Sequence, residues 1–398
     1  MAALAGESQR GWGYKRAAKA VLQIDDPITP LVEANTFRAI TGIGPTTDRI
    51  ARELIHDGRS PFVEQAIHSA GQDEAIAKLR ALRQHFLSRA AVKDIIGRRG
   101  SPSRKAYRGD FQMHSTWSDG AEGLPSIVEA CLARGHRCAG ITDHSYGLPI
   151  AGGMTMGQVK EQHAEIDAVN RTYKGRFRLF KGIEANIRQD GTVDMEEHEL
   201  RLFEFVVASP HSLLRKTVDQ TARMAGAVEQ RGVTILGHPQ GRRFNVRPGV
   251  SARWDQVFKV AAKRQVAIEI DGSWDRQDVH YELAARALDL GCIFALDSDA
   301  HSHPELDFIE IAIAHARLAG IPQDRIVNYW PEKKFLEWAR GAWEPSVRPR
   351  SFPGTLSTAP RWPAGAALCR TCGACRARPR IRFRWAAHPP RNAPARRS

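Results

Sequence analysis

The stretch DFQMHSTWSDG, residues 110–120, decides how this chain is read. It resembles the end of a buried strand that runs straight into metal-ligating groups, with Asp110, His114 and Asp119 placed for coordination. Between them stands Gln112, where a second histidine would be the obvious ligand. A neutral amide can still coordinate through its oxygen or hold a water, so the expected effect is altered affinity for one ion.

The pattern recurs downstream. Seven short apolar segments between 110 and 301 read as strands: DFQMH, RCAGITDH, FRLFKGIEANI, FEFVVASPH, VTILGHP, VAIEIDGS and CIFALDSDAH. Most are separated by stretches long enough for a helix, such as LPSIVEACLARG and TVDQTARMAGAVEQRG. Repeated βα units imply parallel strands covered by helices, and near-continuous apolar runs fit strands buried on both faces. Seven or eight such units would close into a TIM-like barrel, with all strand C-termini on one face.

Nearly every segment ends in a metal-binding residue type. The first ends at His114 with Asp119 beyond, the second at Asp143 and His144, and the third carries Glu184. The fourth ends at His211, the fifth at His238, and the seventh at Asp297, Asp299 and His301. A lone histidine after a strand is usually a hydrogen-bonded turn residue, and a lone aspartate there is usually a helix cap. Such accidents do not explain the same chemistry at the same end of strand after strand. Imidazoles mixed with carboxylates suit Zn, Mn or Fe. The candidate ligands are too many for one ion, so two to three divalent ions sharing a carboxylate, with Glu184 the candidate, would use them. Adjacent ions of this kind clamp phosphoryl groups. Arg242, Arg243 and Arg247, just after His238, and Lys181, just before Glu184, are candidate contacts to an anionic substrate. Asp143 and Asp297 fit a role in orienting ligands.

The chain has 398 residues and a net charge of +14. Twelve of those 14 charges are arginines after residue 344, where no acid or lysine occurs, so the preceding body carries only two. The segment 345–398 reads as a basic, disordered tail; its CRTCGAC, with Cys369, Cys372 and Cys375, lacks an evident fourth ligand. No apolar run approaches the roughly 18 residues of a membrane span, and no signal-like segment opens the chain. A cytoplasmic protein with reduced thiols is expected.

Residues 1–97 read as a small all-α domain, and 98–109 as a Gly/Ser/Pro/basic linker to a barrel over 110–340. Within the helical part, ANTFRAITGIGPTTDRIARELI, 34–55, resembles a helix-hairpin-helix. Gly42, Ile43 and Gly44 would form its turn, and the backbone at Thr46 and Thr47 would meet a DNA phosphate without reading sequence.

The motifs HSTWSDG, ITDHS, GIEANI, ASPHS, GHP and DSDAH together resemble the polymerase and histidinol phosphatase (PHP) family of metal-dependent phosphoesterases. The resemblance spans about residues 107–340 and is greatest to the PHP domain of bacterial family X DNA polymerases, in which the first motif can also carry Gln. It implies a distorted (β/α)7 barrel with a trinuclear metal site. The implied ligands are His114, Asp119, His144, Glu184, His211, His238, Asp299 and His301, and Asp143, Arg242, Arg243 and Lys181 are candidate catalytic residues. The implied activity is hydrolysis at DNA 3′ ends. Only about fifty residues separate the hairpin from the barrel, too few for a polymerase palm, so no DNA synthesis is expected. Two other functions stay open: a small-molecule phosphomonoesterase of histidinol-phosphatase type, and a non-catalytic DNA-binding protein whose metal is structural.

Overall fold

The computed structural model describes residues 9–344, apart from 23 and 25. The basic segment after 344, with its three cysteines, lies outside the described residues. The N-terminal part is helical: α1 (Gln9–Leu22), α2 (Ile28–Glu33), α3 (Pro45–His56), α4 (Pro61–Ser69), α5 (Asp73–Ala81) and α6 (Arg89–Gly97). Pro45 and Pro61 open their helices where a missing N–H costs nothing. Ser60 and Ser88 cap α4 and α6 by accepting from the amides of Val63 and Ala91, at 3.2 Å each.

The stretch 34–55 departs from two α-helices joined by a hairpin. Asn35, left-handed at φ 59°, follows the end of α2, and only a 3-10 turn, Phe37–Ala39, precedes Gly42. Gly42 takes φ 95°, and a side chain there would point at Ala20 and the Arg16 carbonyl of α1. Ile43 is buried with Ala17, Val32, Phe37 and Ala51 in a small core of its own.

The next elements are α7 (Leu124–Ala133), β1 (Cys138–Ile141), α8 (Met156–Thr172), β2 (Arg178–Asn186), α9 (Glu197–Leu200), β3 (Phe205–Ser209) and α10 (Thr221–Glu229). They are followed by β4 (Ile235–Leu236), α11 (Trp254–Arg264), β5 (Ala267–Asp271), α12 (Tyr281–Asp289), β6 (Phe294–Asp297), α13 (Ile309–Leu318) and α14 (Glu332–Gly341). The six strands pair in parallel in sequence order, giving a curled α/β half-barrel.

The expected first strand is the exception. DFQMH is no regular strand, although it occupies the seventh stave. On one side the amides of Gly140 and Thr142 donate to the carbonyls of Asp110 and Met113, at 2.8 and 3.0 Å. On the other, the His114 amide donates to the Ala300 carbonyl at 2.9 Å. Side chains replace the missing ladder. Asp297 accepts from the Phe111 amide at 2.8 Å, Asp110 accepts from the Ser298 hydroxyl at 2.5 Å, and Thr142 accepts from the Met113 amide at 3.0 Å.

Strand parity divides the core. Ile183, Ala185, Val206, Ala208, Ile268, Ile270, Phe294 and Leu296 face the helices. Phe180, Phe205, Val207, Ile235, Ala267 and Ala295 face inward, where α14 inserts Phe335 as a plug. Phe335 stacks on Phe111 at 4.2 Å between ring centroids and meets Phe180 at 5.1 Å. Gly140 and Gly182 leave room for the Phe205 ring, which a side chain at either position would strike.

The segment 98–109 is pinned to this body. Arg317 on α13 donates to the carbonyls of Arg98, Gly100 and Pro102, at 2.9, 3.2 and 2.8 Å. The Tyr107 hydroxyl donates to the Leu296 carbonyl at 2.7 Å. α6 buries Val92 and Ile95 against Ile311 and Ala314 of α13. Among the described residues, no helix is long and apolar enough to cross a membrane.

Phe335 packs among the rings of Phe111, Phe180, Phe205 and Trp338, so truncating it leaves a cavity there. Phe335→Ala is expected to lower stability by about 3–5 kcal/mol in guanidinium titration followed by circular dichroism.

Candidate metal centre

The inward positions of β2, β5 and β6 turn from apolar to acidic toward the C-terminal end. β2 runs Phe180, Gly182, Glu184; β5 runs Ala267, Glu269, Asp271; β6 runs Ala295, Asp297. All five of the acids and aromatics in those series are buried. The residues just past the strand ends complete the mouth. His144 follows β1 and bridges to Glu184 in register, His211 follows β3, His238 follows β4, and Asp299 and His301 follow β6. Two of these residues hold unusual backbones, His238 at φ 23° and Asp299 at φ 52°. Such conformations persist where the surroundings fix them, and they cluster at functional sites.

The structure brings all eight expected ligands to this mouth. One group is His114, Asp119, His144 and His301; a second is His144, Glu184 and His211; within each group one ligand atom per residue lies within 4.8 Å of the others. His144 belongs to both. Glu184 stands at the centre, with Oε2 2.9 Å from His144 Nδ1 and Oε1 2.9 Å from His238 Nε2 and 3.6 Å from His211 Nε2. Asp119 Oδ1 lies 3.5 Å from His301 Nε2 and 3.6 Å from His144 Nε2. Asp299 Oδ1 lies 3.2 Å from His114 Nε2.

Charge coupling sets the protonation states. Burial would raise Glu184, but His144 and His211 hold it well below the usual carboxylate range. Burial also opposes ionisation of Asp119, yet His301, His114 and His144 bring it down to about 2. His301 is pushed down by burial and more strongly up by Asp119 and Asp299, reaching about 9. His211 is pushed down to about 3 by burial, with His238 and His144 acting in the same sense.

The donor set fits divalent ions. Among the described residues, His114 Nδ1 is buried without a hydrogen-bond partner, with Asp119 Oδ1 3.7 Å away, and Glu184 Oε2 and His144 Nδ1 face each other at 2.9 Å. Both amide atoms of Gln112 are likewise buried and unpartnered. A row of orphaned donor atoms in a dry site is costly unless something binds them.

The supporting residues lie one layer out. Asp143 does not reach the cluster, because donors fill its carboxylate. It accepts from the Ser115 amide at 2.8 Å, the Ser115 hydroxyl at 2.6 Å, the Ser118 hydroxyl at 2.5 Å and Gln162 Nε2 at 2.6 Å. It thereby fixes the loop between His114 and Asp119. Asp297 accepts from the Phe111 amide and from Asn328 Nδ2, both at 2.8 Å. Burial pushes Asp297 up to about 6, and burial with repulsion from Asp297 raises Asp110 well above the usual range.

The cations fall differently from expectation. Lys181 sits three residues before Glu184, an odd spacing that turns it to the opposite face of β2; its ammonium pairs with Asp167 of α8 at 2.7 Å. Arg242 lies 3.7 Å over the Phe86 ring and donates to the Gln84 carbonyl at 2.7 Å, away from the mouth. Arg243 stays at the rim, with Nε 2.5 Å from Asp275 Oδ2. The cation at the cluster is Arg276, which the sequence reading missed. Its Nη1 lies 2.5 Å from Asp299 Oδ2 and 3.6 Å from Asp271 Oδ2. The available signal was its place in GSWDRQD, directly after β5.

A parallel α/β half-barrel whose strand ends pool five histidines and three carboxylates has the donor set of a metal-binding protein. Known proteins place it more closely. It is 34% identical over 222 residues to the DNA polymerase/3′–5′ exonuclease PolX of Bacillus subtilis (strain 168), covering 56% of this chain and 39% of that relative. It is 30% identical over 172 residues to a probable phosphatase of Enterobacter sp. (strain 638), covering 40% of this chain and 67% of that relative. A crystal structure of histidinol phosphate phosphatase from Lactococcus lactis, complexed with Zn, L-histidinol and phosphate, aligns with a TM-score of 0.44 and 17% identity, over 54% of this chain and 94% of that one. No protein-family model matches the chain. The chain belongs to the polymerase and histidinol phosphatase family of phosphoesterases. It spans about two fifths of the length of PolX.

Two outcomes check this site. At pH 8 the His301 imidazole is protonated, because its pKa lies near 9, and it must lose that proton to ligate. Loading a divalent ion should therefore release protons, with affinity falling about tenfold per pH unit below 9 for each proton displaced. Calorimetry in buffers of different ionisation enthalpy counts them. Lys181→Met should change kcat/KM for any phosphoester by less than about twofold in steady-state assays, since the ammonium faces α8.

Proposed function

We propose that this chain is a metal-dependent phosphoesterase that hydrolyses DNA 3′ ends. The observation that carries the reading is the pooling of eight ligand-type side chains around the buried Glu184 carboxylate at one barrel mouth. The 34% identity to a relative named as a 3′–5′ exonuclease favours DNA over other phosphoesters.

His114, Asp119, His144 and His301 would hold one ion, and Glu184, His211 and the shared His144 another, with His238 and Asp299 beside them. Two to three ions of Zn, Mn or Fe suit such nitrogen and oxygen donors. Bound there, such ions supply Lewis-acid charge at the phosphoryl oxygens and lower the pKa of water toward neutrality. The chain's own part is positioning and charge. Arg276, held by Asp299, can direct its remaining N–H donors to phosphoryl oxygens and stabilise charge that develops on them. Asp143 locks the 115–118 loop, and Asp297 with Asp110 locks the 110–114 segment, so that His114 and Asp119 do not wander.

The turn Gly42–Ile43–Gly44 and the first residues of α3, Thr46 and Thr47, would meet the DNA backbone without reading bases. A cytoplasmic setting belongs to the same reading and agrees with the free, buried thiols of Cys131, Cys138 and Cys292. DNA synthesis is no part of it. The second reading, a small-molecule phosphatase, is favoured by the identity to the probable phosphatase of Enterobacter, of which this chain covers 67%.

The test is made on the purified protein. Elemental analysis should find two to three ions, and manganese should support mononucleotide release from a 3′-labelled oligonucleotide. His211→Ala should lower that rate by about a hundredfold or more with the melting temperature little changed. Hydrolysis of p-nitrophenyl phosphate without nucleotide release would select the small-molecule reading. A lost melting transition with no turnover in either protein would select a structural metal.

A further inference from the structure

The rim beyond Arg276 holds three more arginines, and the geometry chains them together. The loop after β4 folds back as a short hairpin: the Arg243 amide donates to the Arg247 carbonyl at 2.9 Å, and the Arg247 amide returns the bond at 3.1 Å. Arg247 Nε is fixed on the Gly241 carbonyl at 2.7 Å. Arg215, in the loop after β3, donates to the Val246 carbonyl at the hairpin tip, at 3.0 Å. At the other end Arg243 grips Asp275, the neighbour of Arg276, and the Phe244 amide donates to the Asp275 carbonyl at 2.8 Å. A continuous path therefore runs from Asp299 through Arg276, Asp275, the hairpin and Arg215.

The charges along it do not balance. Asp275 answers Arg243, and Asp299 and Asp271 answer Arg276. Among the described residues, Arg215 and Arg247 have no carboxylate within ion-pair distance. Arg247 is half-buried, and burial together with Arg276, Arg243 and Arg215 pushes it down to about 10. Converging guanidinium groups repel one another unless an anion lies among them, and their planar forks match phosphate oxygens. One reacting phosphoryl group is served by the cluster and Arg276. The outer arginines have capacity for another.

We propose that Arg215 and Arg247, with Arg243 beside them, form a subsite for a second phosphate of the same substrate, the one next to the scissile phosphodiester in a polynucleotide strand. This rests on the phosphoesterase reading and deepens it, because a substrate with a single phosphate leaves the subsite empty. Strand length is then felt through phosphate, not base identity, as in backbone recognition generally.

The test compares d(TpT) with 5′-phosphorylated d(pTpT), which adds only the second phosphate, using the full chain loaded with manganese. The expected result is a kcat/KM for d(pTpT) about tenfold or more above that for d(TpT), the scale of one or two charge-assisted hydrogen bonds. Arg215→Gln and Arg247→Gln should each bring the ratio toward one. The ratio is the readout, since misfolding or lost metal lowers both rates together. A ratio near one in the wild type, with d(TpT) cleaved, overturns the subsite and leaves the phosphoesterase reading intact. A high ratio that survives both substitutions also overturns it. Cleavage of p-nitrophenyl phosphate with neither dinucleotide cut means instead that the DNA reading has failed.

Discussion

A carboxylate with no exposed side-chain surface carries its charge at the centre of this barrel, and the arrangement of the mouth answers that one constraint. An isolated buried carboxylate would take up a proton. Glu184 stays ionised because His144, His238 and His211 surround it. They can do so only because three different strands end at the same height, which parallel pairing in sequence order ensures. The same strand that presents Glu184 seals the other end. Phe180 lies two inward positions earlier, against Phe335, and Gly182 between them yields its space to Phe205. Within five residues β2 passes from an aromatic plug to a charged site. A wet interior would weaken every one of those ion contacts.

The stave at 110–114 shows what the site demands of its neighbours. A regular strand there would satisfy its amides by ladder bonds and alternate its side chains strictly. Instead Asp110, Asp297 and Thr142 accept from the backbone amides of Gln112, Phe111 and Met113. The segment is thus free to bend, so that His114 joins Asp119 and His301 rather than continuing β-geometry, and His114 and His301 stack at 4.3 Å. Gln112 lies inside this irregular stretch, fully buried and without a hydrogen-bond partner among the described residues. It is placed where an amide oxygen is useful to a cation or a water, and where an apolar residue would have been cheaper to bury.

Much of this was legible in the sequence, for a physical reason. Parallel strands covered on both faces are apolar runs, so a histidine or acid at the end of each run marks the strand terminus, and the barrel gathers the termini. That logic pointed to the strand ends, where the structure brings His114, Asp119, His144, Glu184, His211, His238, Asp299 and His301 together, while the choice of these eight over Asp143 and Asp297 came from the family resemblance. It failed where direction matters more than position. Lys181 is near Glu184 along the chain but on the opposite face, and period-two parity carried that signal. Arg242 and Arg243 are adjacent, and nothing in the string RRF says which of them turns under Phe86. Arg276 was missed because its loop follows a strand whose acids drew attention, while its reach to Asp299 is a tertiary fact. The reading of 34–55 as a helix-hairpin-helix placed its turn at Gly42, Ile43 and Gly44; there Gly42 takes a positive φ, and Asn35 and the short turn at Phe37 interrupt the stretch before it.

The misplaced arginine explains how the helical region and the barrel act together. Arg242 is held by the Phe86 ring and the Gln84 carbonyl, and Arg83 Nε donates to Asn245 at 2.6 Å in the rim hairpin. The Leu87 amide donates to Gln277 Oε1 at 2.7 Å, and Gln277 returns a bond to the Leu87 carbonyl at 3.1 Å. Gln277 is the residue after Arg276. Residues 83–87 therefore buttress both loops that carry rim arginines, one after β4 and one after β5. Loops are the mobile part of a barrel, and guanidinium groups aimed at a phosphate lose affinity when their backbone drifts. The docking of the helical region on the barrel therefore fixes the backbone of the two loops that carry the rim arginines.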